Sequence, residues 1–142
     1  MKKILLFVVF IGLGLSTQAQ KLAISDIPGT VKDAFKSDYP SVEDEAWTKV
    51  GNNFNAGFEE NDLGKSVTYA ATGTLVRTDE EIVVSDFPYS ATAYMDKNHP
   101  GSEINSAYKV TLADGTVTYR AEIDGTELFF NSDGNFLKTP IE

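Results

Sequence analysis

Apolar and polar residues alternate in short runs along most of this chain, and in two places the alternation gives way to a four-residue step. Ile27, Val31, Phe35 and Tyr39 form one such stripe, and Phe87, Ala91, Met95 and His99 form the other, sixty residues further on. A step of four keeps side chains on one face of a helix. Pro28 and Pro40 bound the first stripe, Pro88 and Pro100 the second. Proline fits the first helical turn and pushes its predecessor away from helical angles. The pattern predicts helices from about Pro28 to Tyr39 and from Pro88 to Asn98, with Asp26 capping the first.

Strands follow each helix. The first set is about Glu45 to Val50, Phe54 to Glu59, Ser66 to Ala70 and Thr74 to Ile82; the second is about Ile104 to Leu112, Val117 to Ile123, Thr126 to Asn131 and Asn135 to Thr139. Phe54/Tyr119, Ala56/Ala121, Phe58/Ile123, Val67/Leu128, Tyr69/Phe130 and Leu75/Phe136 then fall in step. One helix-plus-four-strand unit is therefore written twice, at about 25–82 and 85–142. Asp114-Gly115 and Asp124-Gly125 read as two-residue hairpin turns, and Asp133-Gly134 matches Thr72-Gly73 before the last strand. Hairpins imply antiparallel pairing, so the expected fold is α+β: about eight strands in one antiparallel sheet, with two helices on one face.

Alternation also sorts the faces. The apolar pairs point towards the helices, while Asn53, Asn55, Ser66, Thr68, Thr118, Arg120 and Glu122 take the opposite face, which reads as open to water. Phe129 breaks the pattern of Leu128-Phe129-Phe130 and falls on that open face beside Arg120 and Glu127. Trp47, the only tryptophan, points outward if Ala46, Thr48 and Val50 take the covered face; a shift of one residue makes it core. The copies differ at the acidic stretch Glu59, Glu60, Asn61, Asp62, which reads as a loop four residues longer than its counterpart, and at a longer second-copy hairpin around Asp114-Gly115.

The amino terminus carries a different signal. Lys2-Lys3, the apolar run Ile4 to Leu15 and the small-residue site Thr17-Gln18-Ala19 read as a cleavable leader, residues 1–19. The apolar run is shorter than the roughly twenty residues of a membrane span. The expected product is residues 20–142, one domain exported to the periplasm or secreted. Losing Lys2 and Lys3 would make the net charge of −9 two units more negative. Such a surface disfavours nucleic acid and membrane surfaces and suits a basic protein partner. There is no cysteine, so the apolar core must hold the fold without disulfides, which favours repeats sharing one sheet.

Candidate chemistry is sparse. The single His, His99, lies on a core-facing stripe, where it packs or caps. Glu43-Asp44-Glu45 and Asp79-Glu80-Glu81 read as solvated strand edges, and Asn131-Ser132-Asp133-Gly134-Asn135 as a hairpin turn lacking the ligand count of a calcium loop. No cofactor or metal site is expected, and no enzyme.

The helix bounded by Ile27-Pro28 and Tyr39-Pro40, the following Trp47, the aromatic strand Phe54 to Phe58, the Gly73 turn, and their echo from Phe87-Pro88 to Asp133-Gly134-Asn135 resemble the PepSY-like family of small exported bacterial proteins, related in fold to β-lactamase inhibitor protein. The resemblance covers the chain after the leader. It implies a tandem repeat whose curved sheet presents a concave surface for binding, and in some cases inhibiting, other proteins. The inhibitor's disulfides are missing here, so inhibition of a β-lactamase is not carried over. The expectation is a non-enzymatic module binding another exported or envelope protein through Trp47, Arg120 and Phe129 on the open face and Glu59, Glu60 and Asp62 at the hairpin. A periplasmic small-ligand or cation carrier is the alternative.

Overall fold

The structure, a computed structural model, describes residues 20–138 and Ile141; the expected leader at 1–19 lies outside the described residues. Among these, nine strands follow chain order in an antiparallel sheet. They are β1 (Gln20–Leu22), β2 (Ala46–Val50), β3 (Asn53–Glu60), β4 (Leu63–Tyr69), β5 (Leu75–Glu81), β6 (Ile104–Leu112), β7 (Val117–Ile123), β8 (Thr126–Asn131) and β9 (Phe136–Leu137). Helices α1 (Gly29–Asp38) and α2 (Tyr89–Asn98) each follow a short 3-10 turn, Ile24–Asp26 and Val84–Asp86. The chain divides into two compact units between Val76 and Arg77. No described helix is long and apolar enough to cross a membrane.

Both helices begin and end as their prolines dictate. Pro28 and Pro88 are the residues just before the first helical turn, and Tyr39 and His99 end the helices by donating their N–H groups to Phe35 O and Met95 O, each at 2.8 Å. Asp26 does not cap α1: it belongs to the preceding 3-10 turn, and no side chain caps either start. The carbonyls of Pro28 and Pro88 instead open each helical ladder, accepting from Val31 and Lys32 and from Ala91 and Thr92.

In the first unit Ile27, Val31 and Phe35 are buried against Trp47, Phe54, Ala56, Phe58, Val67 and Tyr69. In the second, Phe87, Ala91 and Met95 are buried against Ala107, Ala121, Ile123, Leu128 and Phe130, with Tyr119 half-buried beside them. The two stripes thus do the same work in their own units. Burying one side chain of this size contributes about 1.5–3 kcal/mol. The cores are filled differently, however. Phe35 and Trp47 in one correspond to Met95 and Ala107 in the other, and the second compensates with Tyr94 against Phe130 and stacked on Phe136 at 4.6 Å.

Strand β1, ahead of the first helix, is not among the strands expected from the sequence. Sixty residues on stands the end of β5, and the equivalence is plain in the pairing. Leu22 lies opposite Trp47, while Ile82 donates its N–H to Ala107 O. Each helix is therefore entered from a strand, which is long in the second copy and only three residues in the first.

The turns also differ from expectation. Asp124 and Gly125 both have positive φ, 51° and 76°, as a two-residue turn requires. Asp114-Gly115 does not form that turn. Leu112 N–H donates to Thr116 O and Gly115 N–H to Leu112 O, a wider loop ending in a glycine bulge. Ala70–Thr74 and Asn131–Asn135 repeat the same bonds. In the latter, Asn131 Oδ1 also accepts from Asp133 and Asn135 N–H groups, so the calcium-like string is a turn.

Candidate functional site

Antiparallel register sorts each unit's strands into a helix-covered face and an opposite one. In the first unit Trp47 lies opposite Ala56, on the helix side. It is 3% exposed and meets Phe35 edge-on at 5.3 Å. The outward reading of Trp47 is corrected: Ala46, Thr48 and Val50 take the far face. Glu45 explains part of the placement, since its Oε1 accepts from Trp47 Nε1 at 3.4 Å while Lys36 Nζ stands 4.0 Å from its Oε2. The Glu45 side chain is consequently buried, not a solvated strand edge.

The far face of the first unit carries the row Lys21–Thr48–Asn55–Thr68 across β1 to β4. Its side chains are small or flexible, and Asn55 Nδ2 donates to Thr68 Oγ1 at 2.9 Å. The equivalent row of the second unit is Glu81–Tyr108–Arg120–Phe129–Leu137, across β5 to β9. Here the Arg120 guanidinium lies over the Tyr108 ring, 4.6 Å from its centroid, and 3.7 Å from Glu127 Oε1. Phe129 is half-buried next to Arg120 in register. The register brings Phe129, Arg120 and Glu127 together as the sequence implies; Tyr108, which alternates with Val110 and Leu112 along its strand, joins them without having been expected there.

The reading of this face as open to water is corrected too. Asn55, Ser66, Thr68, Thr118 and Arg120 are all buried, as is Asp79. Polar side chains tolerate burial when paired, and pairing here runs sideways, between neighbouring strands or along one. Arg77 makes two bonds of 2.7 Å to the Asp79 carboxylate, the fork geometry that favours Arg for such pairs. Asp79 is therefore no solvated edge residue.

These surroundings shift ionisation. Burial pushes the Tyr108 phenol up to about 12, with the Glu81 carboxylate adding to the effect and Arg120 opposing it. Burial also raises the Glu127 carboxyl above its usual value; Arg120 pulls against the shift and Glu122 adds to it. In the first unit, burial and a 2.8 Å bond to Asp38 raise the Tyr69 phenol.

The acidic hairpin has its own form. Asn61 and Asp62 have φ of 54° and 64°, a two-residue turn joining Glu60 to Leu63. The four extra residues make no longer loop: they lengthen β3 and β4. Glu59, Glu60 and Asp62 are exposed at its tip, and Lys65 Nζ pairs with Glu60 at 2.9 Å. Among the described residues no cluster of three or more acidic, His or Cys groups could hold a metal.

The class defined by this frame is a repeated helix-plus-antiparallel-strand protein, and solved structures share it. The chain is similar to a DUF2874 family protein from Bacteroides ovatus at 20% identity and TM-score 0.68, covering 78% of this chain and 84% of that one. A candidate periplasmic protein from Bacteroides eggerthii matches at 16% identity and TM-score 0.72, over 78% and 86%. A BLIP-like protein from Bacteroides fragilis matches at 19% and 0.63, over 78% and 83%. At these identities the likeness is one of fold. No protein-family model matches the sequence, and no curated protein matches it.

Proposed function

We propose that this protein is a non-enzymatic, exported, PepSY-like binding module that docks another envelope protein on the helix-free face of its second unit. One observation carries the reading. The two copies keep apolar residues at matched core positions, yet at equivalent places on the far face Thr48, Asn55 and Thr68 become Tyr108, Arg120 and Phe129. A frame needs no such change; a binding face does, since aromatic residues and arginine dominate the energetics of interfaces. Arg120 and Tyr108 are buried beneath this face, which leaves the half-buried Phe129 and Glu127 as the side chains that meet the partner. The exposed carboxylates of Glu59, Glu60 and Asp62 are a separate contribution: they favour approach by a basic partner and act on its association rate. The solved BLIP-like and candidate periplasmic neighbours support the fold and the address.

The test is capture from envelope extract on the immobilised protein, with the melting temperature of each variant measured alongside. Phe129→Ala should lose the captured partner while still melting cooperatively. Changing Glu59, Glu60 and Asp62 to their amides should slow association and weaken its salt dependence. Undiminished capture by folded Phe129→Ala would show that the face is wrong.

A further inference from the structure

We propose that the far face of the second unit takes an arginine side chain of the partner, its guanidinium lying on the Phe129 ring and meeting the Glu122 and Glu127 carboxylates. The inference rests on the docking reading above and names the chemistry of the group that docks.

Glu122 and Glu127 lie directly opposite each other across β7 and β8, with Ser106 next in the row on β6. The matching row of the first unit is Ala46–Gly57–Ser66, across β2 to β4. One copy of the frame therefore stands with no acid at these places, while the other sets two carboxylates side by side. That placement works against the fold, because like charges directly opposite destabilise a strand pair. Neighbouring cations offset only part of it. Arg120 Nη1 stands 3.7 Å from Glu127 Oε1, but one guanidinium neutralises one carboxylate, and Arg77 is engaged with Asp79 in two bonds of 2.7 Å. Among the described residues, register puts Asp79, Glu81, Glu122 and Glu127 on this face against Arg77 and Arg120. The face is short of positive charge, and a basic group from outside supplies it. Burial already raises the Glu127 carboxyl, with Arg120 opposing the shift and Glu122 adding to it.

The ring decides which basic group. Phe129 is two residues from Glu127 on β8 and so shares its face, and Phe129, Glu122 and Glu127 are all half-buried, within reach of a partner. A guanidinium stacks on an aromatic ring with its plane and bonds carboxylate oxygens with its edge; a lysine ammonium is a point charge without that plane. Arg120 shows the same arrangement beneath the surface, over the Tyr108 ring and beside Glu127.

The probe is acetyl-Gly-Arg-Gly amide, titrated into the purified protein and followed by NMR at the Phe129 ring and the Glu122 and Glu127 carboxyls. Its citrulline counterpart has nearly the same shape and no charge. The arginine peptide should shift these signals to saturation and the citrulline peptide should leave them in place. Glu122→Gln and Glu127→Gln should each weaken the arginine peptide several-fold, while the melting temperature holds or rises as the opposed charges are relieved. No shift with the arginine peptide, an equal shift with citrulline, or a fall in melting temperature in both variants would overturn the proposal. Capture of the partner separates this claim from the docking reading. If Phe129→Ala loses the partner while the double glutamine variant keeps it in full, the arginine site is overturned and the docking face stands; undiminished capture by folded Phe129→Ala removes both.

Discussion

Trp47 shows how much a single residue's register decides. Its neighbours Ala46, Thr48 and Val50 are not apolar enough to fix which face of β2 is covered, so the local pattern left both faces open. The duplication does not settle it by pattern either: sixty residues on, Tyr108, Val110 and Leu112 alternate on the face opposite Ala107. Packing against Phe35 and the bond to Glu45 make Trp47 part of the core. Trp47→Ala should therefore cost about 3–5 kcal/mol, the usual range for emptying a large aromatic site, in urea denaturation. Its fluorescence should be blue-shifted and resist acrylamide; ready quenching in the folded protein would place the indole outside. Asp79 and Asn55 carry the converse lesson. A polar side chain on a strand face predicts a polar neighbour more securely than it predicts water, because Arg77 and Thr68 satisfy these groups from within the sheet.

Among the elements, helices and long strands were legible because proline boundaries and the two periodicities agree. Strand β1 was not, since three residues hold too little pattern to be seen. The turns were legible as turns but not by type. Gly73, Gly115 and Gly134 occupy one turn design with φ of 83°, 86° and 85°, and only their surroundings separate them. A Cβ on Gly73 would come within 2.6 Å of Thr30 O, and one on Gly134 within 2.9 Å of Ala91 N, whereas Gly115 has nothing within 4 Å. The glycines beside α1 and α2 thus let a turn press on the first helical turn. Gly115→Ala should cost about 1–2 kcal/mol, the price of a left-handed conformation alone. Gly73→Ala and Gly134→Ala should each cost clearly more, because backbone must move. Equal losses at all three, by chemical denaturation, would remove the helix contact from the explanation.

For the molecule as a whole, buried phenols set an alkaline limit. Tyr108 has a folded pKa of about 12 against the usual 10, and Tyr69 is raised too. A group whose folded pKa is raised contributes stability fully present below its unfolded value and lost as pH climbs towards the folded one. Stability should accordingly fall above pH 10. An absorbance titration should show the Tyr108 and Tyr69 phenols ionising above the usual tyrosine range. Tyr108→Phe should soften the alkaline loss; an unchanged pH profile would dismiss Tyr108 as its source.

The duplication also frames the functional claim, since equal frames with unequal far faces locate the difference that matters. The most direct measurement is photo-crosslinking in living cells, with a benzophenone amino acid placed at Phe129 in one strain and at Thr48 in another. An adduct with a single envelope protein at position 129, and none at 48, is the result the account predicts. Labelling at 48 without labelling at 129 would contradict it.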